Sequence, residues 1–287
     1  MGSSLIYISP GVIYIDLATS GSLSTFKVTQ SIYSKNKGAQ RVYLKATLID
    51  SNGKWTFGDG TTSKELGYID GFSEKDITVV LQRANEGEVE ESISIKVELF
   101  KDSGYTQLVD SYTIPIGVII ADFVNSSNWT ILTHDTFDDG TSQGWTTSNG
   151  GVSDTASIEA NGYSLYNSLR TGDVTFSKSS ISIPNASKVV LIFHTAHYAS
   201  SGSYTYPTHY INKLRVKVEN DEYTLYKGYL LYKHGKSVVR EGWYQFGLDI
   251  TKYSGQTVDL SIVLYHYLSA SFTNITYLDE VKIAYKP

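Results

Sequence analysis

The chain has 287 residues, 41% of them apolar and only 18% charged, with a net charge of -5 and no cysteine. That length suits two domains of ordinary size, each with its own core. The charge gives no general attraction to nucleic acid, and the absence of cysteine excludes disulfides, thiolate catalysis and cysteine-ligated zinc.

The start of the chain, residues 1–20, lacks a basic opening, and Pro10 and Asp16 interrupt its apolar stretch, so no secretory signal is expected. Export is then explained by a mature form, by an added Met-Gly-Ser-Ser start, or by a virion protein released on lysis. The first strong period-two pattern is Val42, Leu44, Ala46 and Leu48, alternating with Tyr43, Lys45, Thr47 and Ile49. Asn52-Gly53 and Asp59-Gly60 then mark turns. Between them lies Trp55-Thr56-Phe57-Gly58-Asp59-Gly60-Thr61-Thr62-Ser63, which resembles the W-x-F-G-D-G-x-x-S signature of PKD domains. The resemblance implies an immunoglobulin-like sandwich of the kind found on cell surfaces, and no activity. Ser63–Gly67 is the one place that admits a brief turn of helix.

The acidic stretch Glu86-Gly87-Glu88-Val89-Glu90-Glu91 lacks the spacing of a calcium loop and reads as a solvated hairpin. Ile93, Ile95, Val97 and Leu99 alternate with polar residues as a further strand. The apolar run Ile114–Ile120 holds Pro115 and Gly117 and is too short to cross a membrane. About seven strands are expected over residues 1–120, the count of an immunoglobulin-like sandwich. Residues 121–134 are polar and read as a linker. Four N-x-S/T sequons occur, at Asn125, Asn128, Asn185 and Asn274, and the pair in the linker is the best surface candidate.

Residues 135–287 return to period two at Val189–Phe193, Leu214–Val218 and Val258–Leu264. In order they carry Phe137-Asp138-Asp139-Gly140, Gly144-Trp145, Asn161-Gly162-Tyr163-Ser164-Leu165, Trp243–Ile250, Tyr253-Ser254-Gly255-Gln256 and Tyr277-Leu278-Asp279-Glu280-Val281-Lys282-Ile283. This ordered set resembles jelly rolls of the carbohydrate-binding-module, MAM and galactose-binding-like kind. The fold class expected is therefore all-β, two tandem antiparallel β-sandwich domains, immunoglobulin-like and then jelly roll. The resemblance also implies a structural calcium ion held by acids of the first and last strands, here Asp138, Asp139 and Asp279. An ordinary turn and an exposed strand edge are the alternative for those acids.

The clearest binding signal is aromatic. Of 23 tyrosines, Tyr198, Tyr204, Tyr206 and Tyr210 sit in one Ser/Gly/Thr-rich loop, and Tyr244 begins a late strand. Tyrosine in loops offers a flat face and a hydroxyl at small entropic cost, which suits a glycan or a neighbouring subunit equally. Trp55, Trp145 and Trp243 are expected in cores. His194 and His197 are three apart on an apparent strand, so a metal pair there needs a turn at Thr195-Ala196. No G-x-S-x-G or H-E-x-x-H motif occurs. The reading is a non-catalytic structural or attachment protein of an extracellular surface or virion, oligomeric, contacting glycans or neighbouring subunits, without membrane insertion. A detached carbohydrate-binding module and a β-sandwich hydrolase with paired carboxylates are the alternatives.

Overall fold

A computed structural model describes residues 5–9, 12–17, 21–126, 128–155, 157, 162–169, 172–200, 210–227, 243–267 and 273–287. The chain is all-β and divides into two compact units, Met1–Asp122 and Phe123–Pro287. Among the described residues the helical content is Leu17 and one 3₁₀ turn, Thr251–Tyr253, and no helix is long and apolar enough to cross a membrane.

The first unit contains β1 (Leu5–Ser9), β2 (Val12–Asp16), β3 (Thr25–Lys35), β4 (Val42–Ile49) and β5 (Trp55–Phe57). It continues with β6 (Ser63–Ile69), β7 (Glu74–Ala84), β8 (Val89–Phe100) and β9 (Leu108–Ala121). They form a sheet in the order β1-β3-β7-β5 and another in the order β2-β9-β8-β4-β6. Pairing is antiparallel except between β2 and β9, which run parallel. The alternation read in the sequence is the alternation of burial: Leu44, Ala46, Ile95 and Val97 are fully buried, and their neighbours are not. Facing residues of the two sheets, with Trp55, Phe57 and Phe26, make one core. Burying each such side chain contributes roughly 1.5–3 kcal/mol.

Ser63–Gly67 is strand, not helix. It pairs with β4 through a register shift at Leu44/Lys45, and Gly67 takes φ 83 there. The bulge breaks the clean alternation and disguises the strand. The Asp59-Gly60 turn behaves as its sequence requires, with Gly60 at φ 83 and its N–H bonded to the Phe57 carbonyl at 2.8 Å.

The second unit contains β10 (Thr130–Asp135), β11 (Thr146–Thr147), β12 (Gly150–Ser153), β13 (Ser164–Leu169) and β14 (Gly172–Ser182). There follow β15 (Lys188–Ser200), β16 (Tyr210–Val218), β17 (Asp221–Lys227), β18 (Tyr244–Asp249), β19 (Thr257–Tyr267) and β20 (Thr273–Lys286). A six-stranded sheet runs β12-β13-β20-β15-β18, with β10 also paired to β20, and a five-stranded sheet runs β11-β14-β19-β16-β17. Both sheets contribute to a single core, including Phe176, Phe193, Phe246 and Leu264. Residues 130–134, expected in the linker, belong to β10. That strand lies along β20, and Leu132 packs on the second core. The two-residue step between Ile131 and Thr133 hides its alternation.

Candidate functional site

The inner side of the six-stranded sheet is fixed by Phe193 and Phe246. They are register partners on β15 and β18, and their rings stack in the core with centroids 5.8 Å apart. Alternation then turns the flanking residues outward. On β15 these are Ile192, His194 and Ala196. Ala196 stands opposite Tyr277 of β20, Tyr277 opposite Tyr166 of β13, and Tyr166 opposite Gly151 of β12. Extending the β15–β18 register by one residue sets Trp243 beside Ala196. The result is a row across the sheet, Trp243–Ala196–Tyr277–Tyr166–Gly151, in which Ala196 and Tyr277 are buried and Trp243 and Tyr166 half-buried. Ala196, Tyr277, Tyr166, Trp243 and Ile275 pack as a cluster separate from the core, with the Trp243 and Tyr277 ring centroids 6.4 Å apart at 58°. Trp243, expected in a core, therefore lies on the opposite face. One residue of strand parity makes the difference.

The next row holds Gln245, His194 and Asp279. Here β20 is irregular. Ile192 faces Lys282 and His194 faces Asp279, so Glu280 and Val281 together oppose Phe193 alone. Val281 takes the core position, while Glu280 adopts φ 51. Such a conformation in a residue other than glycine costs energy and is held by its surroundings. It brings the Glu280 carboxylate to 2.6 Å from His134 Nε2 and 3.5 Å from Lys282 Nζ. Burial pushes the Glu280 carboxyl up, but the hydrogen bond from His134 and the charges of His134 and Lys282 outweigh it and hold it below its ordinary value.

His194 is half-buried, and its Nδ1 is sealed from solvent with no hydrogen-bond partner among the described residues. Burial lowers its pKa to about 4, against a smaller opposing pull from Glu280, so the ring is neutral at neutral pH. The Nε1 of Trp243 is likewise buried and without a partner. β15 runs on as strand through Ser200, without the turn that a His194–His197 metal pair requires.

The acids expected to hold calcium are dispersed in role. The first and last strands of the unit, β10 and β20, do lie side by side. Asp139 accepts hydrogen bonds from the Thr141 N–H at 2.9 Å and hydroxyl at 2.8 Å, which hold its carboxyl below its ordinary value. Asp279 is buried in β20 and accepts the Glu280 N–H at 2.8 Å. Asp138 accepts the Tyr163 N–H at 3.0 Å. Among the described residues no three His, Asp or Glu side chains gather as a metal-binding group. One local arrangement brings two oxygens together. Asp138 Oδ1 and the buried Ser157 Oγ, without a partner among the described residues, converge beside Gly162, where a Cβ would lie 2.3 Å and 2.4 Å from them. Both are hard oxygen donors of the kind calcium takes, and calcium takes six to eight of them.

Of the tyrosines singled out for binding, Tyr204 and Tyr206 lie outside the described residues. Tyr198 and Tyr210 are backbone positions of β15 and β16, and Tyr244 begins β18 opposite Thr195; their side chains lie outside the description. The outward face of the six-stranded sheet, with Tyr166, Tyr277, His134, His194, Glu280 and Lys282, was not anticipated from sequence as a site.

No protein-family model and no curated protein matches the sequence. Several solved structures are similar in part. The CBM22-1 xylan-binding domain of Paenibacillus barcinonensis Xyn10C is 20% identical, with 56% of this chain and 99% of that domain covered and a TM-score of 0.37. The tandem CBM22-1-CBM22-2 domain of the same protein is 11% identical over 91% of each chain, with a TM-score of 0.38. A cyclase from Fischerella sp. TAU is 16% identical over 57% of this chain and 93% of its own, with a TM-score of 0.34.

Proposed function

We propose that the chain is a non-catalytic surface component, structural or attachment in role, working outside the cytoplasm, whose second unit holds glycans on the outward face of the six-stranded sheet. The observation that carries this reading is the row Trp243–Ala196–Tyr277–Tyr166 beside the cluster at Glu280, in which Ala196 and Tyr277 are buried and the half-buried Trp243 and Tyr166 keep the open ring surface. A sugar ring has an apolar C–H face and a rim of hydroxyls. The first packs on an aromatic ring, and the second needs a few placed polar groups. Side chains mounted on strands are held in position before the ligand arrives, which lowers the entropic cost of binding. The bulge in β20 supports the same reading. Bulges re-aim side chains, and the left-handed Glu280 stores roughly 1–3 kcal/mol of strain that a purely structural strand has no reason to keep.

Two further expectations join the proposal. The tyrosine-rich segment between β15 and β16 contacts the same glycan or a neighbouring copy. A calcium ion at Asp138, with Ser157 as an added oxygen donor, braces the turn that leads from β10 towards β13. When bound, the ion neutralises the local carboxylate and cross-links the two segments.

A glycan array probed with the full chain, with and without calcium, tests the reading. Retention on a defined set of glycans, lost in Tyr166→Ala and Trp243→Ala with folding intact, is the expected result. An array without hits, or hits indifferent to both substitutions, contradicts it.

A further inference from the structure

We infer that Asn52 of the first unit is a site of spontaneous covalent modification, deamidation, and that the product works against the nearly buried Glu91 and loosens the unit with age. The site lies apart from the outward face of the second unit and is independent of the glycan reading.

Deamidation begins when the backbone nitrogen of the following residue attacks the asparagine side chain, and glycine, with no Cβ in the way, permits this best. Two Asn-Gly pairs have both members among the described residues, Asn52-Gly53 and Asn149-Gly150. The structure treats them oppositely. The Asn149 carbonyl accepts the Ser168 N–H at 3.0 Å, and Gly150 stands in β12 opposite Asn167. A Cβ on Gly150 would lie 1.7 Å from the Tyr166 carbonyl oxygen, so that backbone has no room to swing. Asn52 and Gly53 are exposed at the turn between β4 and β5. Gly53 has φ 64, and the space where its Cβ would stand is open to 4 Å. The Asp50 carboxylate holds the turn, accepting the N–H groups of Asn52 at 3.0 Å, Lys54 at 2.6 Å and Trp55 at 2.9 Å. The Gly53 N–H bonds the Asp50 carbonyl at 3.2 Å, the long end of such bonds. The nitrogen that must attack is the most weakly held of these four amides.

The reaction needs only water and a base. The Gly53 nitrogen loses its proton and forms a bond to Asn52 Cγ. The bond from Cγ to Nδ2 then breaks, and Nδ2 takes up a proton and leaves as ammonia. Water opens the resulting cyclic imide at one of its two carbonyls. One opening gives aspartate at position 52, and the other gives isoaspartate, in which the chain runs through the side chain.

The group lost is one the fold uses. Asn52 Nδ2 donates to Glu91 Oε2 at 3.3 Å. The other oxygen of that carboxylate takes Arg83 Nη1 and Trp55 Nε1, each at 2.5 Å, and the Glu91 side chain is only 8% exposed. Aspartate puts a second carboxylate where the donor stood, and like charges so placed repel. Lys54, the cation of the turn, is committed to Glu86 at 2.7 Å. Isoaspartate lengthens the turn by one backbone atom and withdraws the donor equally.

The test is ageing of the full chain at neutral and mildly alkaline pH in water enriched in heavy oxygen, followed by peptide mapping and thermal melts. The expected result is conversion of Asn52 to aspartate and isoaspartate, each carrying one heavy oxygen, several-fold ahead of Asn149 and faster at the higher pH. The melting transition of the first unit should fall by a few degrees in step with that conversion. Fresh Asn52→Asp should begin at the lowered value. Asn52→Gln keeps an amide but must close a larger ring, so its first-unit transition should not drift. Asn52 that stays intact, or converts no faster than Asn149, overturns the inference. A melt unmoved by conversion, or an Asn52→Asp chain as stable as the parent, overturns the link to Glu91. If Asn52→Asp fails to fold, the aged parent chain carries the same change and decides.

Discussion

Two buried polar clusters, one in each unit, are built from similar residues and end differently. In the first unit Arg83, Glu91 and Trp55 close on one another. Glu91 Oε1 lies 2.5 Å from Arg83 Nη1 and 2.5 Å from Trp55 Nε1, and Arg83 reaches Glu86 at 3.2 Å. Each strong donor has its acceptor inside the fold. In the second unit His194 and Trp243 are also sunk into a sheet face, yet Nδ1 and Nε1 have no partners among the described residues, beside a glutamate held at φ 51. A cluster that satisfies itself specifies structure. A cluster that keeps unpartnered polar atoms beside a strained backbone gives up stability that the first cluster retains.

The comparison can be broken most sharply at Glu91. Glu91→Ala leaves buried Arg83 only the exposed Glu86, 3.2 Å away, as counter-charge, and the expected loss is about 3 kcal/mol of unfolding free energy. Denaturant titration checks it, and a loss under about 1 kcal/mol would mean that the network is not closed as described. The corresponding change in the second unit should do the reverse. Glu280→Gly accommodates the positive φ without a Cβ, so stability should hold within about 1 kcal/mol while glycan affinity falls. Equal losses of both would make the bulge structural.

Acid should separate the units as well. The folded-state pKa of His194, about 4, lies below its ordinary 6.5, so the unfolded chain takes up the proton first. The contribution of His194 to stability is therefore complete above pH 6.5 and falls as the pH drops towards 4. Urea midpoints measured across that window should lose this component in His194→Phe. A smaller effect is expected from calcium, which should raise the melting temperature of the second unit by a few degrees, about the response to 1 kcal/mol. Asp138→Ala should abolish that rise; a rise that survives would move the ion elsewhere.

Much of the fold was legible because alternation is a direct record of burial. The strands at Val42–Ile49, Val89–Phe100 and Val258–Leu264 stand where period two sets them. What escaped were the places where a bulge resets parity. Ser63–Gly67 read as helix because its alternation breaks at the Leu44/Lys45 shift, and Thr130–Asp135 read as linker for a similar reason at Ile131/Thr133. The acidic run at Glu86–Glu91 read as solvated, although Glu91 turns inward to Arg83, a partner that no local pattern announces. The site escaped on the same ground. Tyr277 and Leu278 are adjacent and equally apolar in sequence, and only the paired strands decide which faces the core and which faces the row. The choice of Trp243 as a core residue failed for that reason, whereas Trp55 and Trp145 do sit in their cores.

The indole N–H resonances offer the most direct check, since the chain has 4 tryptophans. In a titration of the labelled protein with an oligosaccharide drawn from the array, the Trp243 signal should move to saturation. Those of Trp55 and Trp145, already bonded to Glu91 and Asp135, should stay in place. A Trp243 signal that never moves while the sugar binds would put recognition on another surface and contradict the account.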